Sequence, residues 1–319
     1  MNRREFVVAA AGLAVAPDAL ARSLGGGSPV ALVTADLESR IIALDALRGH
    51  RLRTIEVPAG PRSVQGVGAT AVIAHTASGT VSIVDGPTLE LRPSALHLDQ
   101  PRYTAASRDG RYAYVTDSGS RALVVVDVIR GRVVRRLAVG GPARHVSISG
   151  DGQRLWVALG TKAERIAVVD VRDPPDPQLL GRLRPPFLAH DVGFAPSSGQ
   201  VWVTSGDRRT AALFDPRTAR VLTTLRADAP PQHMTFHGPL AFVTSGDSGT
   251  LRTHDARTGR LLRTARVPPG SYNVQEGFGL VLTPSLSRGT LCVVDTHGRL
   301  LKRFTVARSS HDACFVTGA

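Results

Sequence analysis

Tyr112-Ala-Tyr-Val-Thr-Asp117 and Ala122-Leu-Val-Val-Val-Asp127 are two short β-branched and aromatic runs, split by the turn residues Ser118-Gly-Ser-Arg121. Runs of this length, bounded by Gly and Ser, read as paired strands rather than helices. The closing Asp then returns along the chain at Asp45, Asp85, Asp127, Asp170, Asp215, Asp255 and Asp295, spaced by 40, 42, 43, 45, 40 and 40 residues. About eleven residues ahead of most of these Asp lies a second strand, such as Trp202-Val-Thr204 or Phe242-Val-Thr244. A third strand follows the Asp, as in Arg257-Thr-Gly-Arg-Leu-Leu-Arg-Thr264, and a fourth precedes the pair, ending in hairpin signals such as Asp109-Gly110 and Asp151-Gly152. Four short strands in a unit of about 40 residues define a β-propeller blade.

Seven such units require about 292 positions, so residues 22–319 hold one domain and leave no room for another. The first repeat, beginning at Pro29, lacks its innermost strand, and the tail His311-Asp-Ala-Cys-Phe-Val-Thr317 is the segment able to supply it. The expected fold is therefore all-β: a seven-bladed β-propeller with four antiparallel strands per blade, the first closed by the C-terminal strand. Such closure leaves no open edge for aggregation.

Tyr114-Val-Thr-Asp117, Trp202-Val-Thr-Ser205 and Phe242-Val-Thr-Ser245 resemble the YVTN repeats of the YncE-like propellers, and the resemblance spans essentially all of residues 22–319. It implies the fold but not an activity, because such propellers host binding proteins, lyases, lactonases and redox subunits.

At the N-terminus, Asn2-Arg-Arg-Glu-Phe6, an apolar stretch from Val7 to Pro17 and Ala19-Leu-Ala21 read as a twin-arginine export signal over residues 1–21. The protein is then expected to work in the periplasm or outside the cell. Beyond this segment no apolar run is long enough to span a bilayer. The chain is 42% hydrophobic and 5% aromatic, which excludes a disordered or collagen-like polypeptide. Its net charge of +13 comes from basic residues that are all Arg except Lys162 and Lys302, scattered without a block of like charge. Few aromatic residues are available to stack on bases, so specific nucleic-acid binding is not expected. P-loop, GxSxG, GxGxxG and CxxCH motifs do not occur. Cys292 and Cys314 fall in strands of different blades and are expected to be buried free thiols.

Counting back from each Asp places Ser63, Tyr103, His145, His190, His233, Tyr272 and His311 at the start of the seven innermost strands. Those strands line the central channel of a propeller, so four of the ten histidines would meet on one axis. Converging neutral imidazoles suit Cu, Fe or Zn, and His145, His190, His233 and His311 are the expected ligands. Tyr103 and Tyr272 would stand in the same ring, one of them as proton donor or extra ligand. Asp191, Asp312 and Asn273 follow ring positions and could accept the second ring N–H of a neighbouring ligand. Ser63, Arg62, Arg102, Arg144 and His75 would lie at the channel mouth, the arginines able to draw in anions. His50, His97, His254 and His297 are expected on outer strands or turns, in solvent.

Two functional classes follow. One is an exported metal-binding propeller, an oxidoreductase or lyase using the His cluster on a small molecule. The other is a non-catalytic scaffold holding a protein, glycan or polyanion on its loop face. Either is expected to act as a monomer.

Overall fold

The computed structural model describes residues 28–93 and 96–316, so residues 1–21, expected to be an export signal, lie outside the described residues. Seven four-stranded antiparallel sheets form the seven blades. The innermost strands are Ala313–Val316, Pro61–Val67, Pro101–Ala106, Val146–Ile148, Ala189–Phe194, Gln232–His237 and Gln275–Gly277, for blades one to seven in turn. As expected, the first blade is closed by the C-terminal strand, which pairs antiparallel with Val30–Ala35 through Val30↔Val316 and Val33↔Ala313.

The repeat signature has three physical causes. The Asp that closes the strand after each second strand folds back on the turn that follows it. Asp45 Oδ1 accepts N–H bonds from Leu47 and Arg48, Asp127 from Ile129 and Arg130, and Asp255 from Arg257 and Thr258. Four of the seven second strands carry an aromatic, and these are core: Tyr114, Trp156, Trp202 and Phe242 are fully buried between blades. Truncating such a ring costs about 3–5 kcal/mol. The Thr two residues later joins one blade to the next. Thr204 Oγ1 donates to Gln232 O at 2.8 Å while accepting Asp191 N–H at 3.1 Å. Thr116 Oγ1 donates to Arg144 O, and Thr244 Oγ1 to Tyr272 O.

The inner strands are irregular where they meet this Thr. In blade five, Ala189 pairs Ser205 and Val192 pairs Val203, so His190 and Asp191 together face Thr204. Blade three has the same β-bulge between Pro101 and Thr104, which sets Arg102 and Tyr103 opposite Thr116. A third lies between Pro61 and Ser63, in a blade that carries Ala74 in place of the Thr. A bulge re-aims side chains at the end of a ladder. Here it turns two consecutive residues toward the channel mouth.

Candidate metal centre

His145, His190 and His233, from blades four, five and six, are buried and offer one ring nitrogen each within 4.8 Å of one another. His145 stands 4.5 Å from His190 and 4.7 Å from His233 between ring centroids, and those two are 4.9 Å apart. The tautomers are set by what surrounds them. A carbonyl can only accept, so His190 Nδ1–H donates to Thr161 O at 2.8 Å and leaves Nε2 as a lone pair. Gly206 makes that contact fit, because a Cβ there would lie 2.6 Å from Thr161 O. His233 turns Nδ1 toward Asp191 Oδ2 at 3.6 Å and its Nε2 toward His190 Nε2 at 3.3 Å. Both nitrogens of His145 are buried with no hydrogen-bond partner.

A neutral His233 can fill this contact as an Nε2–H donor to the His190 lone pair, and a metal ion can take the place of that proton. Burial opposes any second proton on these rings. It pulls His190 down to about 4, and burial together with the neighbouring imidazoles holds His145 and His233 well below the ordinary histidine value. Metal–nitrogen bonds of about 2.05 Å meeting at a tetrahedral angle place their nitrogens about 3.3 Å apart. The His190–His233 spacing of 3.3 Å matches that requirement. A backbone-oriented imidazole presenting a free Nε2, as His190 does, is the arrangement metal sites use. The three histidines are thus a cluster able to hold a transition-metal ion.

Tyr103 packs its ring 4.3 Å from His145 and 5.9 Å from His233. Burial pushes its phenol up to about 12, so it stays protonated and can donate a hydrogen bond. Below the cluster a polar cavity of about 220 Å³ follows the axis, lined by Tyr103, His145, Asp191, His233, Asn273 and Asp312 among others. Asp191 accepts Val192 N–H and, across the blade boundary, Met234 N–H. Asp312 likewise reaches Val64 N–H of the next blade. Burial raises both carboxyls to about 7.

Several expected positions fall elsewhere. His311 is on the axis but outside the three-nitrogen cluster. Its Nδ1–H donates to Arg62 O at 2.7 Å, with Asn273 Nδ2 donating to its carbonyl at 2.9 Å, and these hold the ring at the seam of blades seven, one and two. Tyr272 is not in the ring. In blade seven Gln275 pairs Leu282, which on the same register sets Val274 opposite Thr283 and moves Tyr272 outward, where its hydroxyl donates to Asp247. Ser63 donates its hydroxyl to Arg102 O at 2.6 Å. His75, expected in a loop at the mouth, instead ends the strand Thr70–His75; it is fully buried and its Nε2 meets Ser82 Oγ at 3.0 Å. His254, expected in solvent, is buried against Trp202 at 5.7 Å and donates Nδ1–H to Gly259 O.

Counting also passed over Thr161, whose role is played by its carbonyl and has no signature in the side chain. It passed over Asp36, which accepts His311 N–H at 3.1 Å and lies 3.8 Å from Arg62. Cys292 and Cys314 are buried free thiols, as expected.

The fold and site together define a seven-bladed propeller with a tri-histidine cluster on its axis. No family model matches the chain, and no curated protein matches it in sequence. Among solved structures it is similar to AztD from Citrobacter koseri, at 14% identity and TM-score 0.70 over 91% of this chain and 98% of that one. It is also similar to hydrazine synthase of Kuenenia stuttgartiensis, at 16% identity and TM-score 0.66 over 79% and 88%. A functionally unknown protein from Desulfotomaculum acetoxidans superposes with TM-score 0.75 at 10% identity, over 92% of this chain and all of that one. At these identities the likeness is one of fold. Among the described residues no helix is long and apolar enough to cross a membrane.

Proposed function

We propose that this protein is an exported propeller of the YVTN-repeat type that holds one transition-metal ion on His145, His190 and His233. The observation that carries the reading is the pair of Nε2 atoms 3.3 Å apart beside a buried imidazole with no partner of its own. Three nitrogen donors suit Zn or Cu as well as Fe, and a three-ligand site keeps a position open for water or substrate. Bound there, the ion supplies Lewis acidity, or electron transfer where it is Cu or Fe. Tyr103, its ring 4.3 Å from that of His145, is the proton or hydrogen-bond donor of this reading. Oxidoreductase and lyase are the reaction classes such a site admits.

Export by residues 1–21 belongs to the same reading, and replacing Arg3 and Arg4 by Lys should hold the protein in the cytoplasm. Elemental analysis of exported protein tests the metal. About one equivalent of a transition metal is expected, lost in a His190→Ala/His233→Ala variant that keeps its fold. Metal-free exported protein that also takes up no added Zn, Cu or Fe would sink the reading and leave the non-catalytic scaffold.

A further inference from the structure

In three consecutive blades the residue just before the inward-facing one is arginine: Arg62-Ser63, Arg102-Tyr103 and Arg144-His145. Their backbones are stitched into one arc at the height of the histidines. His311 Nδ1–H donates to Arg62 O, Ser63 Oγ to Arg102 O, and Thr116 Oγ1 to Arg144 O. Little opposes these charges. Arg62 has Asp36 at 3.8 Å, and Arg102 donates only to the neutral Ser118 Oγ and Gln100 Oε1. Arg144 makes no ion pair or side-chain hydrogen bond among the described residues. It lies 6.0 Å over the Tyr103 ring, and its Nε is buried without a partner.

Burial and the charges of Arg144 and Arg62 hold the Arg102 guanidinium below its ordinary value, as expected for cations that crowd one another. An anion held between the arginines and the ion relieves that crowding, and it satisfies the orphaned Nε–H of Arg144.

We propose that the open position of the tri-histidine centre takes a small oxyanion, a carboxylate or phosphate group, with one oxygen at the ion and another on Arg144. Arg102 and Arg62 add charge attraction from the adjoining blades. The substrate class is then an anionic one. This rests on the metal reading of the same histidines.

Co²⁺-loaded protein gives the test, with formate and inorganic phosphate as probes and the visible cobalt spectrum as readout. Each probe should shift the spectrum saturably. Arg144→Gln should still bind one equivalent of cobalt but lose about 10- to 100-fold in anion affinity. Arg144→Lys, which keeps the charge and loses the planar fork, should fall between and serves if the Gln variant does not fold. A loaded protein whose spectrum ignores both anions, or an Arg144→Gln variant that binds them as tightly as the parent, overturns the proposal. Should the parent take up no cobalt, the metal reading fails separately. Calorimetry of phosphate on the metal-free protein then decides: binding lost in Arg144→Gln upholds the arginine site, and no binding overturns it.

Discussion

Thr204→Val removes one hydroxyl at nearly constant shape, at a point where two blades and the metal centre meet. In the native protein that hydroxyl donates to Gln232 O at 2.8 Å and accepts Asp191 N–H at 3.1 Å, both in buried surroundings. The variant leaves one carbonyl and one N–H without partners. Each orphan costs about 1–3 kcal/mol, so the loss should be about 2–6 kcal/mol. In a propeller of this length that is a fall in melting temperature of about 3–10 °C. Thr223→Val, on an exposed outer strand, is the control and should change stability by less than about 0.5 kcal/mol. Gln232 and Asp191 immediately flank His233 and His190 in sequence, so the same change should weaken metal binding. Chemical denaturation and competitive metal titration of the three proteins measure both effects. A Thr204→Val variant as stable as the Thr223→Val control would refute the view that this motif position stitches the blades.

Acid should unfold the protein early. Six buried histidines (His75, His145, His190, His233, His254 and His311) have native values below the unfolded 6.5, and their contribution is lost as pH falls through about 6.5 toward 4. Asp36, Asp191 and Asp312, raised to about 6, 7 and 7, act in the opposite direction over about 4 to 7, but they are fewer. Melting temperature should therefore drop between pH 6.5 and 5; a flat profile would contradict the sign. Deleting residues 309–319 opens the inner edge of the first blade and should give aggregated protein by size-exclusion chromatography, whereas a soluble product with the parent's melting temperature would contradict the closure. Tyr272→Phe should leave metal affinity unchanged by titration, because its hydroxyl is committed to Asp247.

The fold was legible because each signature residue has a local job repeated blade by blade: Asp caps a turn, the aromatic fills an interblade gap, and Thr bridges to the next inner strand. Three of the four histidines were legible from the same register. His311 keeps the register, facing Thr34 as His190 faces Thr204, but its ring is held on Arg62 O outside the cluster. Tyr272 was not legible, because counting back from Asp assumes every inner strand begins alike. Blade seven shifts its pairing, and bulges admit an extra residue in others. His254 could have been placed from the repeat. It precedes Asp255, where the other blades carry Leu44, Val84, Val126, Val169, Phe214 and Val294, all buried. His75 gave no such signal, since its counterparts Asp117, Ser205 and Ser245 are polar but buried too.

The bulges also bear on how such a site can be rewritten. On a regular strand, alternate side chains face away, so each blade would contribute a single letter to the channel mouth. With two consecutive residues facing one residue of the second strand, a blade contributes a two-letter word: His-Asp opposite Thr204 in blade five, Arg-Tyr opposite Thr116 in blade three, Arg-Ser opposite Ala74 in blade two. In blades three and five the threonine and its hydrogen bonds hold the frame whichever word is written. One sector can therefore exchange a cation for an imidazole, or a phenol for a carboxylate, while its neighbours keep their spelling. Swapping Arg102-Tyr103 for His-Asp would be a direct way to read that vocabulary in the molecule itself.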